Sequence, residues 1–401
     1  MRILVVHNRY RSGQPSGENN VVDRETALLA GAGHDVEIFE KRSDDIETMS
    51  PVAKAAVPLR VPWNGAVRRE LRQLLDRSRP DIVHIHNTFP LLSPSVVAAC
   101  ADTGTPAVAT LHNYTPVCPP GTLFRAGEVC TDCVGRLPLP AVLHGCYRGS
   151  RAATIPLAVN TAANSARLGG GNGIARYFCI SAAQRAMLIQ AGLPAQRLAV
   201  KHNVVADPGI RRDSAGSHVL YLGRLTPEKG IPLLMKAWDE LAASGGIGVP
   251  LVIAGAGPLA DEVTAWARER PDVRYLGLRS QAECAELTGR AATVVAPSVW
   301  LEAFGLVVVE AMAAGVPTVA PSHGAFPELV EDGVTGLLHR PADAGSLAEA
   351  LRRIVLKTAW NRDMGVAARL RYERDFTPEA GLDRLISGYR EAIAGRLCEP
   401  V

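Results

Sequence analysis

Two short segments in the second half of the sequence place glycines and charged side chains directly after apolar strands. The first, Gly223-Arg224-Leu225-Thr226-Pro227-Glu228-Lys229-Gly230, follows the apolar run Val219–Leu222. Its glycines allow a ligand to approach the backbone closely. Arg224 and Lys229 place two cations at the carboxyl end of a strand, where α/β proteins bind ligands. A turn with two solvated cations is the alternative interpretation.

The second segment, Pro297–Gly305, ends another strand and leads into an apolar helix that contains Glu310. Backbone N–H groups at Gly305 and Leu306 open that helix and form an anion site. Because Glu310 lies among apolar residues, we expect it to be buried and hydrogen-bonded. Glu302 and Glu310 flanking an anion site suit a sugar nucleotide, with one carboxylate for the sugar and one for the ribose. A capped helix with one partnered core glutamate is the alternative.

The first half offers histidines at the ends of predicted strands. His7, His86 and His112 each end a strand, so all three could face one cleft. A three-histidine metal site is conceivable, but no carboxylate motif supports it. The segment Ser16–Asn20 precedes a helix and lacks the third glycine of a dinucleotide-binding fingerprint.

Four cysteines cluster in a segment rich in proline and glycine. Cys118, Cys130, Cys133 and Cys146 are separated by 11, 2 and 12 residues. This spacing suits a tetrahedral thiolate site, most plausibly for structural zinc. Four reduced thiols, or two disulfides in an oxidising compartment, are the alternatives.

The composition excludes several classes of protein. The 401 residues carry a net charge of +3 with 5% aromatic residues, which argues against binding of nucleic acid. The most apolar stretch, Thr293–Pro321, is interrupted by glutamates, glycines and a proline, so no transmembrane segment is predicted. The first residues read as a strand rather than a signal peptide. We expect a cytoplasmic protein with few exposed apolar or basic stretches, and contact with a membrane surface stays open.

The elements that position these residues alternate between strands and helices in both halves. This alternation predicts an α/β protein with two doubly wound, Rossmann-like domains. We place the first domain at 1–205 with a cysteine-rich insertion at 113–150, a linker at 206–217, the second domain at 218–379 and a last helix within 380–401. The predicted strands are Ile3–Val6, Asp35–Phe39, Ile82–Ile85, Ala107–Leu111, Arg176–Ile180, Leu198–Lys201, Val219–Leu222, Pro250–Ala254, Val273–Leu276, Thr293–Pro297 and Pro317–Ala320.

Taken together, these motifs resemble the retaining glycosyltransferases of family 4, which have the GT-B fold. The resemblance rests on Glu302-x7-Glu310 with Phe304-Gly305-Leu306 between them, on Gly223-Arg224-x4-Lys229-Gly230 and on Gly255-x-Gly257-Pro258, and it runs from Met1 to about Ala394. It implies two domains that face a central cleft, with the last helix crossing back to the first domain. It also implies a bacterial enzyme that needs no metal or other cofactor for catalysis.

The resemblance assigns donor-binding roles in the second domain. Arg224 and Lys229 would bind the diphosphate of a nucleoside diphosphate sugar, most plausibly a UDP- or GDP-sugar. Glu302 would contact the transferred sugar, and Glu310 would accept from the ribose hydroxyls. The remaining donor contacts would come from Gly17, Gly223, Gly255, Gly257, Leu278, Arg279, Phe304, Gly305 and Leu306.

The same resemblance assigns the hydroxyl acceptor to the first domain. Ser16-Gly17-Glu18 stands where the family commonly has Gly-Gly-Glu, so Ser16 departs from the pattern. His112 would lie beside the reacting carbon of the sugar, and a histidine that merely shapes the cleft is the alternative. The acceptor would contact Glu18, Asn19, His86 and Asn113.

The activity expected from this resemblance is transfer of a hexose with retention, in the biosynthesis of polysaccharide, glycolipid or a glycosylated antibiotic. One alternative is a GT-B epimerase or hydrolase, which would consume the donor without an acceptor. A second alternative is a non-catalytic protein that binds nucleotide sugars.

Overall fold

The computed structural model of the chain describes residues 1–13, 16–169, 173–212 and 214–395, apart from the side chains of 165–169. The chain divides into two compact units. The first comprises Met1–Leu123, Cys130–His202 and the segment from Gly381 onward, and the second comprises Phe124–Val129 and Asn203–Ala380. Among the described residues, no helix combines the length and apolar character needed to cross a membrane.

The first unit contains a six-stranded parallel sheet in the order β2-β1-β3-β4-β7-β8. Strand β1 pairs with β2 on one side and with β3 on the other, so the chain changes direction across the sheet between β1 and β3. In open α/β sheets, ligands bind at the carboxyl ends of strands beside such a switch point. The strands are β1 (Arg2–Arg9), β2 (Asp35–Arg42), β3 (Ile82–Ile85), β4 (Ala107–Leu111), β7 (Ile174–Cys179) and β8 (Leu198–Val200).

Helices cover this sheet, and side-chain caps set several of their starts. Ser16 caps the first helix by accepting from the Asn19 N–H, and Asn64 caps the fourth by accepting from the Val67 N–H. The helices are α1 (Gly17–Gly31), α2 (Asp45–Thr48), α3 (Pro51–Arg60), α4 (Gly65–Ser78), α5 (Ser95–Thr103), α6 (Leu139–His144), α7 (Arg151–Gly169), α8 (Ala182–Gln190) and α16 (Pro378–Ile393).

The last helix, α16, packs into the core of the first unit. Leu385, Tyr389 and Ala392 share a buried cluster with residues of the sheet, among them Phe178. Gly388 lies against the same ring, because a Cβ atom at this position would come within 2.6 Å of Phe178. The absence of a side chain at Gly388 therefore allows the helix to lie close to the sheet.

The second unit contains another six-stranded parallel sheet, in the order β11-β10-β9-β12-β13-β14. This order is that of a dinucleotide-binding α/β sheet, and its switch point lies between β9 and β12. The strands are β9 (Val219–Leu222), β10 (Leu251–Ala254), β11 (Val273–Tyr275), β12 (Thr293–Val295), β13 (Thr318–Pro321) and β14 (Gly336–His339).

Both faces of this second sheet are buried, as expected for parallel strands with helices on each side. Along β9, Val219 and Tyr221 belong to one buried cluster, whereas Leu220 belongs to another. The helices of the unit are α9 (Ile231–Ala243), α10 (Ala260–Arg268), α11 (Gln281–Gly289), α12 (Leu306–Ala313), α13 (Phe326–Leu329), α14 (Ala344–Leu356) and α15 (Thr358–Asp375).

A short antiparallel hairpin, β5 (Phe124–Arg125) and β6 (Glu128–Val129), interrupts the cysteine-rich segment. Its two turn residues, Ala126 and Gly127, have φ angles of 53° and 86°. Positive φ at both positions is typical of the tight turns that join such hairpins.

Gly388 yields a test of this packing. Replacing a helical glycine with alanine ordinarily stabilises a helix by about 1 kcal/mol. We expect Gly388→Ala to destabilise the protein by about 1–3 kcal/mol instead, because the new methyl group overlaps the buried Phe178 ring. Urea unfolding of the full chain measures the change.

The neighbouring substitution Ser387→Ala is the matched control, because Ser387 is exposed in the same helix. It should leave the free energy of unfolding nearly unchanged. Equal effects of the two substitutions would contradict the close approach of α16 to the sheet.

Candidate active site

The segment after β9 carries the two predicted cations at the switch point of the second sheet. It forms a single turn of 3-10 helix, Pro227–Lys229, before α9 begins at Ile231. The Tyr221 hydroxyl donates to the backbone oxygen of Arg224 at 2.7 Å and so fixes this turn. The side chain of Arg224 is 55% exposed, and it forms a 3.4 Å ion pair with Glu228. Its guanidinium is therefore accessible to an anionic ligand.

Two predicted glycines allow the loop after β10 to pack directly on the loop after β9. A Cβ atom on Gly255 would lie 1.8 Å from the Gly223 backbone oxygen. A Cβ atom on Gly257 would lie 2.4 Å from the Leu225 backbone oxygen. Side chains at these two positions would push the loops apart, so the glycines determine the shape of the backbone around Arg224.

Glu302 lies in the loop after β12, on the other side of the switch point, and it is 8% exposed. Its Oε1 accepts from the Lys229 Nζ at 2.5 Å and from the Ser298 hydroxyl at 3.0 Å. Burial alone would raise the pKa of this carboxyl, but the Lys229 ammonium and these hydrogen bonds hold it below its usual value. Glu302 is therefore ionised at neutral pH.

The Lys229 ammonium also lies near an aromatic ring. The Lys229 ammonium lies 5.0 Å from the centre of the Trp300 ring, within the range of a cation–π interaction. The backbone of the loop is also tied to the first segment, because the Val299 N–H donates to the Glu228 backbone oxygen at 3.0 Å. The two loops at the switch point thus form one structure.

Helix α12 begins beside this pair. Gly305 precedes its first residue with a φ angle of 117°, a conformation that a side chain would strain. Leu306 and Val307 open the helix, so their N–H groups lack helical partners and can donate to an anion. Phe304 is buried beneath the turn. Glu310, which the apolar helix predicted to be buried, is only half-buried. It lies on the same side of the helix as Leu306 and Val307, which are also partly exposed.

The predicted donor contacts Leu278 and Arg279 lie in the loop that follows β11. The Gly277 backbone oxygen accepts from the Gly255 N–H at 2.9 Å, so this loop is fixed to the glycine pair. Leu278 is 60% exposed. Arg279 donates to the Leu276 backbone oxygen at 2.7 Å and pairs with Glu283 at 3.2 Å, so its charge is already compensated.

In the first unit, the predicted histidines lie at the switch point between β1 and β3. The His86 Nδ1 and His112 Nε2 atoms form a 3.0 Å hydrogen bond, and the rings are stacked. His7 lies edge-on to His86 with 6.2 Å between ring centres, and its Nε2 bonds the side-chain oxygen of Asn19 at 2.9 Å.

The structure adds residues to this cluster that the sequence analysis missed. His84 lies fully buried next to His86, with a 2.7 Å bond to the Tyr389 hydroxyl and a 2.8 Å bond to the Thr110 hydroxyl. Glu25 forms a buried ion pair with Lys201. The position of His84 two residues before His86, on the same face of the strand, was a signal for the first addition. Nothing in the local sequence indicates the ion pair of Glu25 and Lys201, because these two residues are 176 positions apart.

A metal at the predicted three-histidine site is not favoured by this arrangement. Within the described parts of the chain, the one group whose ligand atoms lie close enough for a metal is Glu25, His84 and His86. Glu25 already carries the Lys201 ammonium, and both ring nitrogens of His84 are hydrogen-bonded. The Lys201 ammonium therefore already occupies one oxygen of this carboxylate.

Burial keeps these rings neutral. It lowers the pKa of His84 and His86 well below the usual value, and the neighbouring imidazoles act in the same direction. It lowers the pKa of His112 to about 3. Burial would raise the pKa of Glu25, but the Lys201 ammonium and the surrounding groups hold it below its usual value. The cluster thus combines one ion pair with neutral imidazoles at pH 7.

The predicted acceptor loop opens α1. Gly17 is the exposed first residue of the helix. Asn19 is committed to the fold, since its side-chain oxygen also accepts from the Tyr10 N–H at 3.3 Å. Glu18 accepts from the Tyr10 hydroxyl at 3.3 Å, and its Oε1 has no hydrogen-bond partner within the described residues. Burial raises the pKa of Glu18 to about 8, so this carboxyl is protonated at neutral pH.

Asn113 follows β4 and shapes the loop after His112. Its side-chain oxygen accepts from the Thr115 N–H, and its backbone oxygen accepts from the Gln184 side chain, both at 3.0 Å. The side-chain oxygen of Asn113 therefore stabilises the local turn through its hydrogen bond to the Thr115 N–H.

The four clustered cysteines lie near one another without forming a ligand set. Burial raises the pKa of Cys133 to about 11, and the other three thiols add to this effect through their proximity. However, no three of the four sulfurs lie within 4.8 Å of one another in the described residues. The structure therefore lends the zinc site no support, and it stays a prediction.

Two family models together match nearly the whole chain. The model described as Glycosyltransferase Family 4 matches residues 15–207, and the model described as Glycosyl transferases group 1 matches residues 210–371. The chain belongs to glycosyltransferase family 4. The family resemblance and the α/β fold predicted from the sequence are thereby confirmed.

Individual proteins agree with this family. D-inositol 3-phosphate glycosyltransferase of Mycobacterium tuberculosis is 35% identical over 188 residues, which are 44% of this chain and 37% of that protein. The chain thus spans little more than a third of the length of the curated relatives it matches.

Solved structures of the same fold cover 98% of the chain at 20% identity. Anabaena HepE in complex with UDP and glucose has a TM-score of 0.66 and is covered completely. Sucrose-phosphate synthase of Thermosynechococcus elongatus has a TM-score of 0.70 and is covered to 99%.

The ion pair between the half-buried Lys229 and the buried Glu302 yields a stability prediction. We expect Lys229→Met to lower the free energy of unfolding at pH 7 by about 3–5 kcal/mol, because it leaves a buried carboxylate uncompensated. The difference from the wild type should shrink as the pH falls below about 4.5, where Glu302 is protonated in the unfolded chain. Urea unfolding across this pH range measures it.

The double substitution Lys229→Met with Glu302→Gln is the control, because it removes both charges. It should be more stable than Lys229→Met alone at pH 7. A double variant less stable than the single one would show that the two charges do not compensate each other.

The neutral histidines yield a pH prediction. Because the pKa values of His84, His86 and His112 are lowered, the unfolded chain binds more protons than the folded one below the usual pKa of 6.5. Stability should therefore fall from pH 7 to 5, with each histidine adding up to about 1.4 kcal/mol per pH unit. His86→Gln should reduce this slope by one proton.

The matched control is His144→Gln, because His144 is exposed. This substitution should leave the slope of stability against pH unchanged. Urea midpoints measured at several pH values decide the outcome. The same slope in the wild type and in His86→Gln would mean that His86 is charged in the folded protein.

Proposed function

We propose that this protein is a retaining glycosyltransferase that moves a hexose from a nucleoside diphosphate sugar to a hydroxyl acceptor. Family membership supports the class of reaction. The observation that carries the proposal is the switch point of the second sheet, where Lys229 pairs with the ionised Glu302, Arg224 exposes its guanidinium on the same loop as Lys229, and α12 begins at Leu306.

This site has the groups that a departing diphosphate needs. Arg224 offers an accessible guanidinium, Lys229 an ammonium, and the first residues of α12 offer N–H groups with positive potential. Such preorganised donors stabilise the negative charge that develops as the sugar–phosphate bond breaks. These protein groups provide that charge without a metal ion.

The proposed reaction exchanges one bond at the anomeric carbon for another on the same face of the sugar. The bond from this carbon to the diphosphate oxygen breaks with its electron pair, and the bond to the acceptor oxygen forms. The acceptor's proton passes to the departing diphosphate oxygen. Glu302 remains ionised through its pairing with Lys229 and accepts hydrogen bonds from hydroxyls of the sugar. Glu310, half-buried on α12, accepts from the ribose.

The first unit supplies neutral hydrogen-bonding groups. Because the pKa of His112 is lowered to about 3, this ring acts at pH 7 as a hydrogen-bond partner for a sugar hydroxyl and not as a cation. The protonated Glu18, with a pKa of about 8, can donate to an acceptor oxygen or accept from a hydroxyl. His86 orients His112 through their mutual hydrogen bond.

UDP-sugars are the first donors to test, because HepE was solved with UDP and glucose. GDP-sugars follow as the second class. The acceptor class, a saccharide, a glycolipid or an antibiotic aglycone, stays a prediction, as do the cytoplasmic location and the zinc site.

Arg224→Ala and Lys229→Ala test the proposed electrostatics. Each should lower turnover of the accepted donor by about a hundredfold or more, since each removes a group that stabilises the departing charge. Release of nucleoside diphosphate and of glycosylated product, measured with a panel of UDP- and GDP-sugars, gives the rates. Arg268→Ala, at an exposed cation of α10 in the same unit, should leave turnover unchanged.

The same assay separates the alternative functions. Nucleoside diphosphate release that does not depend on an acceptor would indicate hydrolysis or epimerisation. Binding of the donor with no release under any condition would indicate a non-catalytic protein. Near-normal turnover in both Arg224→Ala and Lys229→Ala would contradict the proposed mechanism.

A further inference from the structure

The ion pair of Glu25 and Lys201 forms one chain with two of the buried histidines. The Lys201 ammonium contacts the Oε1 atom of Glu25. The Oε2 atom of the same carboxylate is buried and has no hydrogen-bond partner within the described residues. His86 Nε2 faces this oxygen at 3.9 Å, and His86 Nδ1 bonds His112 Nε2 at 3.0 Å. The chain therefore runs from a fixed cation to His112.

The hydrogen bond between His86 and His112 can have either of two directions. Both rings are neutral at pH 7, because burial lowers their pKa values, and a neutral imidazole has one N–H and one lone pair. If the proton of His86 is on Nε2, its Nδ1 accepts from the Nε2–H of His112. If that proton is on Nδ1, it is donated to His112 Nε2. The direction of this bond therefore determines which nitrogen of His112 carries the proton.

The Glu25 carboxylate distinguishes the two directions. An ionised carboxylate can only accept, and a buried acceptor without a partner is costly. A lone pair on His86 Nε2 would repel the nearby Oε2, whereas an N–H at this nitrogen is attracted to it. His84 does not compete for this oxygen, because its ring nitrogens are bonded to the hydroxyls of Tyr389 and Thr110. The carboxylate therefore favours the Nε2–H form of His86.

The surroundings of His112 leave its other ring nitrogen for a ligand. His112 is partly exposed, and its Nδ1 has no hydrogen-bond partner in the part of the chain that the structure describes. The Gln184 side chain donates to the backbone oxygens of Leu111 and Asn113, at 2.9 and 3.0 Å. Since these bonds fix the backbone on both sides of His112, the tautomer decides whether Nδ1 offers a lone pair or an N–H.

We propose that Glu25 is a positioning residue that sets the tautomer of His112 through His86. Both rings carry their proton on Nε2, and the lone pair on His112 Nδ1 accepts a hydrogen bond from a hydroxyl of the donor sugar. The inference rests on the proposed function, which places His112 beside this sugar. It adds a requirement for the substrate, because a lone pair at this position selects a sugar that can donate a hydrogen bond there.

Nitrogen NMR of the full chain, prepared with isotope-labelled histidine, tests the tautomers without any substrate. The chemical shift of each ring nitrogen shows whether that nitrogen carries a proton. The variants His86→Gln and His112→Gln assign the signals. We expect both rings of the wild type to be protonated on Nε2 and not on Nδ1 at pH 7.

Glu25→Gln makes the test sharper. Because Lys201 can only donate, the oxygen of the new amide should stay on Lys201 and its NH₂ group should face His86 Nε2. We expect the proton of both rings to move from Nε2 to Nδ1. Turnover of the accepted donor should fall by about 5- to 100-fold, since the sugar hydroxyl then meets an N–H in place of a lone pair.

Glu70→Gln is the matched control. Glu70 is exposed in the same unit and pairs with Lys41 at 2.8 Å. Its substitution should leave the tautomers and the turnover unchanged. Thermal unfolding of Glu25→Gln measures the stability lost with the buried pair. A merely structural role of Glu25 would lower stability without moving the proton between ring nitrogens, and the wild-type spectrum decides the tautomers even if this variant does not fold.

Three results would overturn the proposal. The first is a wild-type His112 that carries its proton on Nδ1. The second is a folded Glu25→Gln variant in which both rings keep the wild-type tautomer. The third is a reversal of both tautomers in this variant with unchanged turnover. If no nucleotide sugar is turned over, the proposed function fails by itself, because the NMR signals decide the tautomers without a donor.

Discussion

A buried carboxylate needs a compensating charge, and the second unit is organised around this constraint. Glu302 and Lys229 come from loops on opposite sides of the switch point between β9 and β12, 73 residues apart. Their pairing requires that the two loops meet, which in turn requires Gly230, where a Cβ atom would lie 1.9 Å from the Pro297 backbone oxygen. A donor site between these loops is thus preorganised by the same interaction that holds them together.

The first unit meets the same constraint differently. It places a single ion pair, Glu25 with Lys201, next to imidazoles that burial keeps neutral. The cations that could bind a diphosphate, Arg224 and Lys229, therefore lie in the second unit. The first unit contributes neutral hydrogen-bonding groups. The division agrees with a donor that is an anion and an acceptor that is an alcohol.

Much of this organisation follows from local sequence, and some does not. Strands β3, β4 and β9 match their predicted bounds, because each is a continuous apolar run with clear ends. Helices α3 and α7 were missed, because prolines at positions 58 and 156 and many alanines obscure their periodicity. Strand β14 was missed because its sequence, Gly-Leu-Leu-His, contains only two apolar residues between a glycine and a histidine. The motif residues after β9 and β12 were identified since glycines mark them, whereas the Glu25–Lys201 pair depends on folding of distant segments.

The return of α16 to the first unit has a consequence for the order of assembly during synthesis. Tyr389 provides the hydroxyl that bonds His84 at 2.7 Å in the centre of that unit. A ribosome releases this tyrosine only after the entire second unit, so the second unit can fold while the first still lacks a core residue. Vectorial synthesis thus favours completion of the later unit before the earlier one, and truncation of the chain before α16 would leave a nascent first unit open to chaperones.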